Sequence, residues 1–229
     1  MIKGNGIHHL AISTADIKTQ IEFFSDVLGM ELVALYWMHG VEGAWHGFLK
    51  ANDSCYIAFV QLDAIKDIPI QYGSTHAGSG ALPSAPGTMQ HVAFNVDSKA
   101  DLLAMRDRIR DRGVNVVGEV EHGMCKSIYF AGPEGLTLEV ATSEEPIDQN
   151  AWIDPEVVAL AGINADELKR FKRPADYKGE GGAVAQPPYD ETKPHMHYPP
   201  EDYQRMLAAT DAQITAASSM SEPPVSAGG

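Results

Sequence analysis

No apolar run in the 229 residues approaches the ~18 that a membrane-spanning helix needs. The opening residues, Met1-Ile2-Lys3-Gly4-Asn5, carry no apolar signal core, so a cytoplasmic location is expected. Cysteine is scarce: Cys55 and Cys125 lie far apart, with no C-x-x-C. That excludes a disulfide framework and a cysteine-based zinc site, and it fits a reducing compartment. Bases are also few, 17 against 31 acids, for a formal net charge of −14. A surface of that sign repels phosphate backbones and anionic bilayers, so neither nucleic acid nor membrane is an expected partner.

What is present is a globular composition, 44% hydrophobic and 21% charged, in a chain long enough to bury a core without covalent staples. The character changes near residue 145. Before it, apolar alternation and short helical patterns run almost continuously. Eight of the fourteen prolines lie from Pro174 onward, with Gly-Glu-Gly-Gly at 179–182. Ser219 to Gly229 are small and polar, and are expected to be disordered.

The first part repeats itself. His8-His9-Leu10-Ala11-Ile12-Ser13-Thr14-Ala15-Asp16 matches Gln90-His91-Val92-Ala93-Phe94-Asn95-Val96-Asp97 at an offset of 82. Each is a short strand ending in Asp. An amphipathic helix follows in each half: Ile17, Ile21, Phe24, Val27 and Leu28 ending at Gly29, and Leu102, Leu103, Met105 and Ile109 running to Gly113. Three strands come next, near 31–37, 44–50 and 55–61, then near 114–120, 126–131 and 136–142. Each half thus reads β-α-β-β-β, with modules at about 6–62 and 88–145 inside a domain of 1–145. The expected class is α+β: paired βαβββ modules forming a curved eight-stranded mixed sheet, with helices on its convex side.

Period-two alternation sorts the side chains. Val92, Phe94 and Val96 face the helix, and His91, Ala93 and Asn95 face away. Leu10 and Ile12 face the helix, which leaves His9, Ala11 and Ser13 on the other side. Leu136, Leu138 and Val140 are packing residues, opposite Thr137, Glu139 and Ala141. The concave face therefore collects His9, His91 and Glu139 among small residues. Two imidazoles and a carboxylate suit a divalent metal such as Fe(II) or Mn(II), with coordination left open. His8 has helix-side parity, so His9 is the expected ligand.

These residues sit in motifs that resemble a known family. The motifs are His9-Leu10-Ala11-Ile12 leading to Asp16, Phe23-Phe24-Ser25-Asp26-Val27-Leu28-Gly29-Met30, Gln90-His91-Val92-Ala93-Phe94, and Tyr129-Phe130-Ala131-Gly132-Pro133-Glu134-Gly135-Leu136-Thr137-Leu138-Glu139. Over about residues 6 to 145 the chain resembles the vicinal-oxygen-chelate superfamily, which includes glyoxalase I, methylmalonyl-CoA epimerase, fosfomycin-resistance enzymes and extradiol dioxygenases. The resemblance implies that His9, His91 and Glu139 bind the metal. The repeat partner of Glu139 is Ala58, where glyoxalases and epimerases of the family carry a fourth ligand. An open three-ligand site looks more like the dioxygenases or the fosfomycin-type transferases.

Further candidates surround that set. Tyr129 shares the inward parity of Glu139, and the resemblance makes it a hydrogen-bond donor to a metal-bound substrate oxygen. His46 falls opposite Ser127 by the repeat and is a candidate proton shuttle or polar liner. His76 lies in the Gly-, Ser- and Pro-rich linker 63–88, a candidate lid. His122 stands just before the penultimate strand, within reach of the mouth. Trp37, Trp45, Phe48 and Tyr56 offer an aromatic wall for a planar ligand. The expected function is a metal-dependent, ferrous extradiol-type dioxygenase acting on a vicinal dihydroxy aromatic, with dioxygen as co-substrate. The alternatives are a lyase, isomerase or transferase on the same site, or a small-molecule-binding protein without turnover. A homodimer or higher homo-oligomer is expected. The extension, 146–229, reads as an arm with helices near 155, over 165–171 and over 200–217. Its Tyr189, Met196, Tyr198, Tyr203 and Met206 would anchor it to the domain or to a neighbouring subunit.

Overall fold

A computed structural model describes residues 3–179 and 181–218 of the chain; the expected disorder of 219–229 falls outside them. The first module runs β1 (His9–Thr14), α1 (Ile17–Asp26), β2 (Glu31–Trp37), β3 (Trp45–Asn52) and β4 (Cys55–Gln61). The second runs β5 (Val92–Asn95), α2 (Lys99–Asp111), β6 (Val116–Glu121), β7 (Lys126–Ala131) and β8 (Thr137–Thr142). The paired βαβββ modules read from the repeat are present. Their strands form two four-stranded mixed sheets, ordered β1-β4-β3-β2 and β5-β8-β7-β6, each with one parallel pair at the crossover.

Local chemistry sets the helix ends. Asp16 caps α1 by accepting from the Thr19 amide, and Ser98 caps α2 by accepting from that of Asp101. Gly29 and Gly113 follow the two helices at φ +77° and +78°, a region in which only glycine is unstrained. A side chain at Gly29 would also meet the Arg108 guanidinium at 3.1 Å.

The helix-facing residues of both modules join in one core. Phe24 of α1, fully buried, stacks edge-on with Phe59 of β4 and Phe94 of β5, so one ring bridges the two sheets. Polar contacts lock the same interface. The Glu134 carboxylate accepts from the Thr14 hydroxyl at 2.6 Å, the Ala15 amide at 2.8 Å and the Gln20 amide at 2.8 Å. Arg108 donates to the carbonyls of Val27 and Asp26 at the end of α1.

The extension adds α3 (Gln149–Trp152), α4 (Pro155–Leu160), α5 (Ala165–Lys172), α6 (Pro200–Ala208) and α7 (Asp211–Ser218). The single helix expected over 200–217 is two. Ala209 is extended, and Thr210 starts a new helix by exchanging hydrogen bonds with Gln213. No described residue from 143 to 218 is buried. Met196 and Tyr198 remain 55% and 46% exposed, so within one chain these intended anchors are not buried against the domain. One contact joins Trp152 to the β6–β7 turn: a side chain at Gly123 would lie 2.5 Å from the indole.

Candidate functional site

Strand register brings the second module's polar residues together. In β8, Glu139 pairs with Ala93 on one side and Tyr129 on the other, so these three share a face. His91, just ahead of β5, has the same parity. Its Nε2 lies 2.9 Å from Glu139 Oε2, and that carboxylate is 5% exposed. The other ring nitrogen, Nδ1, bonds the Gln90 side-chain carbonyl. Both imidazole nitrogens thus face acceptor oxygens, an arrangement that calls for a cation or a proton between His91 and Glu139. Tyr129 has its hydroxyl 3.0 Å from His122 Nε2. Burial first, and then the charge of Glu139, push the Tyr129 phenol above its usual range, so at neutral pH it is a protonated donor.

The linker covers this group. Gln90 donates from its side-chain amide to the carbonyls of Ser79 and Leu82. A side chain at Gly80 would lie 3.3 Å from the Tyr129 ring, so the backbone here passes close over the ring and a larger residue would push it by a few tenths of an ångström. Residues 79–82 are the covering part. His76 sits elsewhere, bonded to Thr75 and lining a small cavity beside Ser13 and Thr137.

In the first module, His9 and His46 gather on the equivalent face. His9 Nδ1 contacts His8 Nδ1 at 2.9 Å, and its ring packs 5.3 Å from Phe48. His46 packs 4.6 Å from the same phenylalanine, with Nδ1 3.3 Å from the Tyr36 hydroxyl and Nε2 buried without a partner. Burial, then the nearby His9, hold its imidazole below the usual histidine range. Ala58 pairs with Ala11 as Glu139 pairs with Ala93, so the repeat match is correct and the position is apolar, with 0% exposure. The four-membered aromatic wall does not form. Phe48 and Tyr56 line the face with Tyr36, whereas Trp37 and Trp45 alternate to the opposite face and pair with each other.

The expected metal ligands therefore fall in two places. His91 and Glu139 offer an imidazole and a carboxylate in contact, donor chemistry that fits a divalent cation. His9 lies on the equivalent face of the first module, against His8 and Phe48, and among the described residues no group of three His, Cys, Asp or Glu side chains is placed to hold a metal ion. Gln90 is legible in the sequence only as a motif neighbour, and His122, placed near the mouth by its position alone, carries no periodic signal because it stands in a turn.

Comparison with known proteins is consistent with this architecture. MhqA of Bacillus subtilis (strain 168), assigned to ring-cleaving dioxygenation, is 24% identical over 176 residues, covering 73% of this chain and 51% of its own. Biphenyl-2,3-diol 1,2-dioxygenase 2 of Rhodococcus globerulus is 23% identical over 148 residues, 64% of this chain and 68% of its own. The 2-epi-5-epi-valiolone epimerase of Actinomyces sp is 26% identical over 145 residues, 58% and 77%. The chain spans about half the length of the first of these relatives. The family model of the Glyoxalase/Bleomycin resistance protein/Dioxygenase superfamily matches residues 6–140, both modules from β1 into β8, and the chain belongs to that superfamily.

Proposed function

We propose that the chain is a metal-dependent enzyme that opens a vicinal dihydroxy aromatic ring with dioxygen. The observation that carries this reading is the buried Glu139 in contact with His91, beside a phenol held protonated. Two of the relatives named above are assigned to ring cleavage or to dioxygenation of an aromatic diol. His91 and Glu139 supply an imidazole–carboxylate pair of the kind that Fe(II), the favoured ion, or Mn(II) accepts. His9 is the third ligand in this reading, and it must leave His8 and Phe48 to join them.

The roles of the surrounding residues follow from their atoms. Tyr129 donates a hydrogen bond to a substrate oxygen. His122, 3.0 Å from that phenol oxygen, passes a proton to or from it. Residues 79–82 keep bulk water off the Tyr129 ring. His46, with its free buried Nε2, is a polar contact for substrate on the first module's face.

A second reading keeps the residues and drops the oxygen: the Tyr129–His122 pair moves a proton equally well in an epimerase or lyase, and one relative is an epimerase. Anaerobic loading with Fe(II), metal analysis and oxygen uptake with a catechol panel decide between them. Retained metal with catechol-dependent oxygen uptake is the expected result. Retained metal without uptake on any catechol selects the second reading. Protein that holds no metal overturns both.

A further inference from the structure

A cleft of about 1070 Å³ opens between the two modules, lined by neither Glu139 nor Tyr129. Its apolar floor includes Leu28, Met30, Phe94 and Met105, and Ile7 stands on its rim 65% exposed. Asp97, Asp101 and Asp53, the last paired with Lys50 at 2.7 Å, line it, and no lysine or arginine does. An apolar trough whose charged lining is acidic is suited to a ligand that is apolar along one side and basic at its edges.

The chain carries such a segment. Helix α5 reads Ala-Asp-Glu-Leu-Lys-Arg-Phe-Lys, followed by Arg173. Lys169, Arg170, Lys172 and Arg173 put four cations within five residues of a molecule whose net charge is −14. Phe171, at their centre, is 56% exposed, with the Arg170 guanidinium 5.2 Å from its ring centre. The helix is locally well made: Asn164 and Glu167 form a reciprocal capping box. Leu168 is half-buried on its own chain, but no residue of the helix is fully buried there, and no residue beyond Val140 lines the cleft.

We propose that this cleft receives helix α5 of a second copy of the chain, with Phe171 on the apolar floor and the four cations against Asp53, Asp97 and Asp101. Exchange of the two helices across a twofold axis makes the contact twice, which doubles the surface covered. The dock is set by opposite charge and is weakened by salt.

Two measurements test it on the full chain. In the first, sedimentation gives the mass of the wild type and of a variant with Lys169→Gln, Arg170→Gln, Lys172→Gln and Arg173→Gln. Glutamine keeps helix propensity and removes the charge. The expected result is a dimer for the wild type at low salt, dissociating near ~1 M salt, and a dissociation constant raised on the order of tenfold or more in the variant. A wild type that is monomeric at micromolar concentration, or a dimer insensitive to the four changes, overturns the proposal. The second measurement identifies the occupant through Cys55, a cleft residue with a free thiol. Phe171→Cys, made with Cys125→Ser, should give a doubled mass on a non-reducing gel under mild oxidation, lost on Cys55→Ser. A disulfide closed within one chain, a doubled band that survives Cys55→Ser, or no cross-link overturns it.

Discussion

His91 and Glu139 are not equivalent in what their removal leaves behind. Glu139 is buried, with the His91 ring at 2.9 Å and the Tyr129 phenol as its partners. His91→Ala removes one of the two partners of a buried carboxylate, which costs about 1–3 kcal/mol. Glu139→Gln removes the charge but keeps the shape. We therefore expect His91→Ala to melt lower by about 2–4 °C per kcal/mol lost, and Glu139→Gln to melt close to the wild type, while both lose bound metal. Thermal scans with metal analysis check this; full metal retention in His91→Ala removes it from the ligand set. Ala58 is the repeat counterpart of Glu139, packed at 0% exposure between Ala11 and Phe48, with His9 placed to it as His91 is to Glu139. Ala58→Glu forces a larger side chain into that packed position, so destabilisation of about 1–3 kcal/mol from overpacking is expected, with His9 as the one imidazole in line to pair with the new carboxylate. A denaturant midpoint unchanged by the substitution would place residue 58 outside the packed face.

At the scale of elements, the turn before β8 ties the modules together. Glu134 sits at φ 53°, a conformation costly for a side-chain-bearing residue, and its carboxylate holds the entrance to α1 in the other module. Glu134→Gly relieves the backbone and removes the three acceptor contacts, so the two effects oppose each other. We expect the contacts to dominate, with a net loss of about 1–3 kcal/mol and faster hydrogen exchange in the first turn of α1; a stabilised Glu134→Gly variant would show that the turn is held for its backbone alone. Asp16 adds a pH dependence to the same turn. Hydrogen bonds from Thr19 lower its carboxyl from the ordinary 3.8, so its cap is complete above that value and is lost as pH falls through the lowered one. Amide exchange at Thr19 should rise over that acid window and not above it. Most of these elements were legible in the sequence because a repeat within one chain checks itself: strand parity predicted that Glu139 and Tyr129 share a face, and β7–β8 pairs them directly. Glu134 was not legible, since nothing in Gly-Pro-Glu-Gly shows that the acid reaches 114 to 120 residues back along the chain. The direction of the His9 ring is not legible for a related reason: parity fixes the face on which a ring lies, not whether it turns toward His8 or toward another strand.

For the whole molecule, every residue of the buried core lies between Ile17 and Val140, and the extension contributes none. A chain ending after Ser143 should therefore fold with essentially the full hydrophobic stabilisation of the two modules. Among the contacts it loses are the packing of Trp152 on Gly123 and the ion pair of Glu144 with Lys126. Ordering a residue costs about 1–2 kcal/mol of backbone entropy. The helices of 149–218 bury no side chain on their own chain to offset it, so an extension ordered in solution draws its stability from another surface. Three outcomes of the truncation are then linked. The melting temperature of the modules at low concentration should change little. Any concentration dependence of melting in the full chain should disappear, because dimer formation stabilises a fold only by mass action. Gly123, no longer packed against the Trp152 indole, should exchange its amide proton faster, seen by nuclear magnetic resonance. A truncated chain that unfolds or aggregates would mean that the extension covers apolar core surface within its own chain, and the arm would then be part of the domain rather than a link between copies.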